Sequence, residues 1–121
     1  MEIIKKELKP GIIVLELAGP LQIGVECKRL ELAFDQLIGE KHTRAVIDLS
    51  RVTKLDSAGL GKLVNCFSRF KTAGGMLCLA GTTSMIDGVL KLTHADRFLK
   101  SYPDALRASE SFLDMPPSSC G

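Results

Sequence analysis

Continuous apolar runs and amphipathic runs alternate along this chain, with turn residues between them. Ile3-Ile4 to Leu8 reads as a short strand, Pro10-Gly11 as a turn, and Ile12-Ile13-Val14-Leu15-Glu16-Leu17 as a second strand, so a hairpin is predicted. Gly19-Pro20 is expected to end that strand. From Val25 to Ile38 the apolar positions Leu30, Ala33, Phe34, Leu37 and Ile38 recur at steps of three and four, which predicts an amphipathic helix stopping near Gly39. Arg44 to Leu49 is nearly continuous in apolar residues, as a covered central strand is, and a short polar turn is expected after it.

The next helix is predicted to start near Ser57, with Leu60, Leu63, Val64, Phe67 and Phe70 as its buried stripe. Gly74-Gly75 then supplies a residue free to take positive φ just past its end. Met76 to Ala80 is a fourth, wholly apolar strand. Strand, helix and strand joined by short loops form a parallel crossover unit. Met85 to Leu92 reads as a short helix with Ile86, Val89 and Leu90 inward, Phe98-Leu99 as a short edge strand, and Asp104 to Phe112 as a last helix. The predicted fold is a single α/β domain, a mixed sheet of four or five strands with helices packed mainly on one face.

Composition narrows this picture. A chain of 121 residues suits one domain, and 45% hydrophobic residues suffice for a sizeable core. With no tryptophan and 5% aromatics, that core must be aliphatic. A net charge of +2 argues against a nucleic-acid binder driven by a basic surface, so no direct nucleic-acid partner is expected. Cys27, Cys66, Cys78 and Cys120 form no CxxC pair and match no zinc or disulfide spacing, so free thiols in a reducing compartment are expected. No signal peptide is visible, and no apolar run approaches the roughly 18 residues of a membrane span. The expectation is a soluble, cytoplasmic protein without repeats or a second domain.

Three enzyme patterns fail. Asp56-Ser57-Ala58-Gly59-Leu60-Gly61-Lys62-Leu63 sits where a phosphate loop sits, yet Asp56 occupies the first glycine position and Leu63 the final Ser/Thr position. No GxSxG elbow occurs. His42 and His94 are the only histidines and belong to no metal-spaced cluster, so both read as surface loop residues, and neither metal nor cofactor is expected.

Ser57 remains as the candidate. Asp and Ser are favoured helix caps, because their oxygens accept free N–H groups of the first turn, and Ser57 is expected to cap. Gly59 and Gly61, however, each cost about 0.5–1 kcal/mol in a helix relative to Ala, which a helix start needing only stability would not carry. Small residues there leave a low surface that another macromolecule can approach. Ser57 also lies beyond the carboxyl end of a strand, where open α/β sheets place their sites.

Val46-Ile47-Asp48-Leu49-Ser50, Val52-Thr53, Leu55-Asp56-Ser57-Ala58-Gly59-Leu60-Gly61, Gly74-Gly75 and Leu77-Cys78-Leu79-Ala80-Gly81 together strongly resemble the STAS domain family, named for sulfate transporters and anti-sigma factor antagonists. Leu90-Lys91-Leu92-Thr93, Asp96-Arg97 and Tyr102-Pro103-Asp104 also look like the family's C-terminal segment. The resemblance covers about residues 3–113, and a domain over 1–113 with a disordered tail over 114–121 is expected. Similar short proteins are bacterial anti-sigma factor antagonists. The resemblance implies a non-enzymatic partner switch. The unphosphorylated antagonist binds an anti-sigma factor, a serine kinase with a histidine-kinase-like ATPase fold, and sigma factor is released. The kinase phosphorylates the serine after the Asp, which maps to Ser57, and a metal-dependent serine phosphatase restores binding.

The implied contact surface is Arg51, Thr53, Lys54, Asp56, Ser57, Ala58, Gly59 and Gly61, then Lys62, Asn65 and Arg69 on the exposed helix face, with Gln22 in the loop after the second strand. Two positions depart from the family. Ala58 stands where a second hydroxyl is frequent, leaving Ser57 as the sole acceptor at the helix start. Gln22 stands where many relatives carry an acid, which bears on partner affinity or identity rather than on fold. The alternative is a stand-alone STAS scaffold or a transporter-associated STAS subunit.

Overall fold

The computed structural model of the chain describes residues 2–9, 11–21, 25–42, 44–97 and 99–112. In chain order these form β1 (Glu2–Lys9), β2 (Ile12–Leu21), α1 (Val25–Gly39), β3 (Arg44–Leu55), α2 (Ser57–Thr72), β4 (Met76–Ala80), α3 (Ser84–Leu92), a 3-10 turn over Ala95–Arg97, β5 (Ser101–Tyr102) and α4 (Ala105–Ser111). One sheet holds all five strands in the order β1-β2-β3-β4-β5. β1 runs antiparallel to β2, the predicted hairpin, with Gly11 at φ 82° in its turn. The pairings β2–β3, β3–β4 and β4–β5 are parallel, so α1 and α2 serve as crossovers.

Strand alternation sorts the apolar residues onto two faces. Ile13, Leu15, Ala45, Ile47, Leu77 and Leu79 point into the larger core, where they meet Leu30, Phe34 and Leu37 of α1, Leu60, Leu63 and Phe70 of α2, and Ile86 and Leu90 of α3. The core is not wholly aliphatic as composition led one to expect: Phe34, Phe70 and Phe112 are its largest buried side chains, and Phe34 and Phe70 join the two long helices edge to face, with ring centroids 5.8 Å apart. The alternate residues Ile12, Val14, Val46, Met76 and Cys78 meet Ala108 and Phe112 on the other face. Three helices thus cover one face and α4 the other. Cys66 and Cys78 are buried within these cores, and neither is in a disulfide.

Three sequence expectations need correction. β2 does not stop at Gly19-Pro20 but continues to Leu21. β1 reaches only as far as Ala18 on β2, so Pro20 lies past the end of that ladder, where its missing N–H costs little. β3 likewise runs through the expected polar turn after Leu49 as far as Leu55, because β2 supplies it with a partner. The last strand is Ser101–Tyr102, not Phe98-Leu99: Leu99 is buried in the larger core, and its N–H donates to the Ala95 carbonyl at 2.9 Å. Phe98, Gln22, Cys120 and the tail 114–121 lie outside the described residues.

Candidate functional site

The ends of β2 and β3 create the site. β4 accompanies β3 only over Arg44–Asp48, whereas the β2–β3 ladder continues to the pair Leu21 and Leu55. Along this extension β3 carries two more residues than β2, absorbed at register shifts between Glu16 and Ala18 and between Gly19 and Pro20. The two strands therefore project beyond the sheet as a bulged ribbon, and α2 starts from its tip.

Asp56 makes the turn. Its backbone is extended (φ −99°, ψ 178°), and its Oδ1 accepts the Gly59 N–H at 2.7 Å. Its own N–H donates to the Leu21 carbonyl at 3.4 Å, and its carbonyl accepts the Leu60 N–H at 3.0 Å. Asp56 is therefore the N-cap, not Ser57. A cap residue needs extended geometry with its side-chain oxygen over the third helical amide, and Ser57 already belongs to the first turn of α2. Ser57 is exposed, and among the described residues its hydroxyl is not engaged in a hydrogen bond. Ala58 beside it is half-buried.

The two glycines have different causes. Gly59 is buried, and a Cβ there would stand 2.3 Å from the Leu21 carbonyl oxygen and 3.0 Å from Leu55 Cδ1. It is required by packing of helix against strand, so it does not form part of an exposed contact surface. Gly61 has nothing within 4 Å of the corresponding point and is exposed, which leaves the low surface expected of it.

The α2 cations also differ from expectation. Lys62 Nζ donates to Glu31 Oε2 at 2.8 Å, and Arg69 pairs with Asp35, so both half-buried side chains are turned toward α1. Glu31 and Asp35 are one helical turn apart and match the two cations across the helix pair. Lys62, with help from Arg69 and Lys28, holds the Glu31 carboxyl below the usual range. The exposed positions over the first three turns of α2 are instead Ser57, Gly61, Asn65 and Ser68, an uncharged row leading away from the acceptor, with exposed Lys71 and Thr72 in the last turn. Arg51, Thr53 and Lys54 are exposed as expected, but they belong to strand β3, with buried Val52 between them. The Leu21 carbonyl, Glu31 and Asp35 were missed by reasoning from the sequence; the i, i+4 spacing of the two acids was the available signal for the latter pair.

His42 is half-buried with its Nε2 3.4 Å from Glu40 Oε1, and His94 is exposed. Among the described residues, no cluster of three His, Cys, Asp or Glu side chains is placed to hold a metal, and no helix is long and apolar enough to cross a membrane. Chemically, the junction presents one exposed primary hydroxyl at the positive end of a helix dipole, beside a carboxylate already engaged as a cap.

Comparison with known proteins gives a consistent picture. The family model of the STAS domain matches residues 4–108. A protein of Thermotoga maritima, named as a candidate anti-sigma factor antagonist, is 31% identical over 77 residues, which span 64% of this chain and 68% of that one. The crystal structure of an anti-sigma factor antagonist from Mycobacterium paratuberculosis superposes with a TM-score of 0.80 at 23% identity, covering 91% of this chain and 92% of the other. The Bacillus cell fate determinant SpoIIAA in its phosphorylated form superposes with a TM-score of 0.68 at 14% identity, over 93% of this chain and 97% of that one.

Proposed function

This chain belongs to the STAS domain family, and we propose that within it the protein acts as an anti-sigma factor antagonist switched by phosphorylation of Ser57. The unphosphorylated protein binds an anti-sigma factor of the serine kinase type and so frees sigma factor. The Ser57 Oγ then attacks the γ-phosphorus of the kinase-bound ATP, ADP departs, and the hydroxyl proton passes to a base of the kinase. A metal-dependent serine phosphatase hydrolyses the ester and restores the binding form. The protein is substrate and ligand in this cycle, not catalyst.

The observation that carries this reading is the placement of Ser57: exposed, first in α2, and relieved of capping duty by Asp56. A phosphate there adds about −1.5 to −2 charges at pH 7. The positive end of the helix dipole favours that charge, so the fold tolerates the modification. A partner packed against Gly61 and Asn65 must instead desolvate it beside the Asp56 carboxylate. The switch therefore acts at the interface through charge and bulk, without refolding. Antagonist relatives support the partner class, and SpoIIAA, a similar fold, exists in a phosphorylated form.

The test is to incubate the protein with its anti-sigma factor kinase and ATP and to map the phosphate by mass spectrometry. Modification at Ser57 alone is expected. A phosphate elsewhere, or none, would sink the assignment.

A further inference from the structure

The projecting end of β3 has an open edge. β2 pairs with β3 as far as Leu55, but β4 leaves it after Asp48. The departure is built in two ways. The Asp48 Oδ1 accepts the Ser50 N–H at 2.9 Å, which caps the strand where the β4 ladder ends. Gly81 then turns the chain away at φ 65°, packed so close that a Cβ there would stand 2.8 Å from Ser50 Cβ. Beyond Ser50, among the described residues, no strand lies on the β4 side of β3.

An open strand edge is a template for pairing, and proteins guard such edges with charge. This edge carries exposed Arg51 and Lys54 and no acid before Asp56. Neither cation has an ion-pair partner among the described residues, in contrast to Lys62 and Arg69. Two copies meeting edge to edge would bring like charges together, so self-pairing is disfavoured. An acidic extended segment would instead gain ladder hydrogen bonds and charge complementarity together.

We propose that residues 51–55 of β3 are a strand-addition site for an acidic extended segment of the anti-sigma factor partner. This rests on the reading of the chain as an antagonist, since it assigns a mode of contact to that partner. Leu55 is two residues before Ser57, so a strand docked here ends beside the acceptor hydroxyl. A phosphate on Ser57 would then repel an acidic strand as well as obstruct the α2 surface.

The test is amide hydrogen exchange of the full chain, alone and with the purified anti-sigma factor kinase. Amides of residues 51–55 should slow by about tenfold or more in the complex, independent of the protein's own concentration. The double variant Arg51→Glu/Lys54→Glu should bind the kinase about tenfold or more weakly while keeping its urea midpoint. Kinase binding that protects α2 but leaves 51–55 unchanged overturns the strand-addition site and leaves the antagonist reading intact. Concentration-dependent protection without kinase overturns it in favour of self-pairing. Failure of the kinase to bind wild-type protein at all removes both.

Discussion

A Cβ on Gly59 would stand 2.3 Å from the carbonyl oxygen of Leu21, so the first turn of α2 and the last residue of β2 are in direct contact. That carbonyl also accepts the Asp56 N–H. Because backbone is the obstacle, no side-chain rotation relieves the clash. Gly59→Ala is therefore expected to destabilise the protein by about 1–3 kcal/mol, outweighing the helix propensity of alanine. Gly61→Ala, with nothing within 4 Å of the new methyl, is expected to stabilise by about 1 kcal/mol. Urea unfolding of the two variants checks both signs, and a stable Gly59→Ala protein would show that α2 can lift from β2 at no cost.

Asp56 caps α2 through one carboxylate oxygen on the Gly59 amide. Asp56→Ala is expected to cost about 1 kcal/mol of stability, and Asp56→Asn to retain most of it, because the amide oxygen accepts the same bond. The pair separates cap from charge. If Asp56 serves Ser57 only by fixing the helix start, Asp56→Asn is phosphorylated at the wild-type rate. Thermal or urea midpoints together with a phosphorylation time course check this.

The elements with strong internal periodicity were legible in the sequence. α1 and α2 announce themselves through stripes such as Leu30-Phe34-Leu37 and Leu63-Phe67-Phe70, and β4 through five consecutive apolar residues. What escaped was structure conferred by distant partners. Gly19-Pro20 and the polar stretch after Leu49 each look like a chain break, and they become strand because they pair with each other. β5 is two residues long, anchored by the Leu79 N–H on the Lys100 carbonyl at 2.8 Å and the Gly81 N–H on the Tyr102 carbonyl at 2.9 Å, and so carries no pattern of its own. At the site, Ser57 was legible from Asp-Ser before an apolar stripe. Its relation to the cap was not, because Asp and Ser are equally good caps and only backbone geometry decides between them. The division of labour between Gly59 and Gly61 was hidden for the same reason: an identical residue answers a backbone contact in one case and open solvent in the other.

Acid sensitivity should trace in part to the α1–α2 seam. The hydrogen bond and charge of Lys62 hold the Glu31 carboxyl below its usual range, against the opposing effect of burial. A carboxylate whose folded pKa is lowered contributes stability that is fully present above its unfolded value of about 4.3, and that is lost as pH falls through the folded value. Glu31→Gln is therefore expected to lower the urea midpoint slightly at pH 7, and the gap from wild type should close as the pH drops below the glutamate range. The effect is small, because Glu31 Oε2 and Lys62 Nζ meet near solvent and are screened by it. A gap that stays constant down to acid pH would assign the contact to packing rather than to charge.

Ser57 variants separate stability from recognition. Ser57→Asp places a carboxylate in the first turn of α2, where the helix dipole favours it by about 0.3–1 kcal/mol, so the urea midpoint should hold or rise. The same substitution is expected to weaken binding to the anti-sigma factor kinase about tenfold or more, a loss of about 1.4 kcal/mol or more. Ser57→Ala should bind as wild type does but resist release when ATP is added, since Ala58 offers no substitute hydroxyl. Binding calorimetry with and without ATP, beside urea melts of the same samples, reads all of these outcomes. Equal affinities for Ser57→Asp and Ser57→Ala, with both proteins folded, would remove charge at the helix start as the switching quantity. A fall in affinity accompanied by an equal fall in stability would instead point to refolding, which the exposed position of Ser57 argues against.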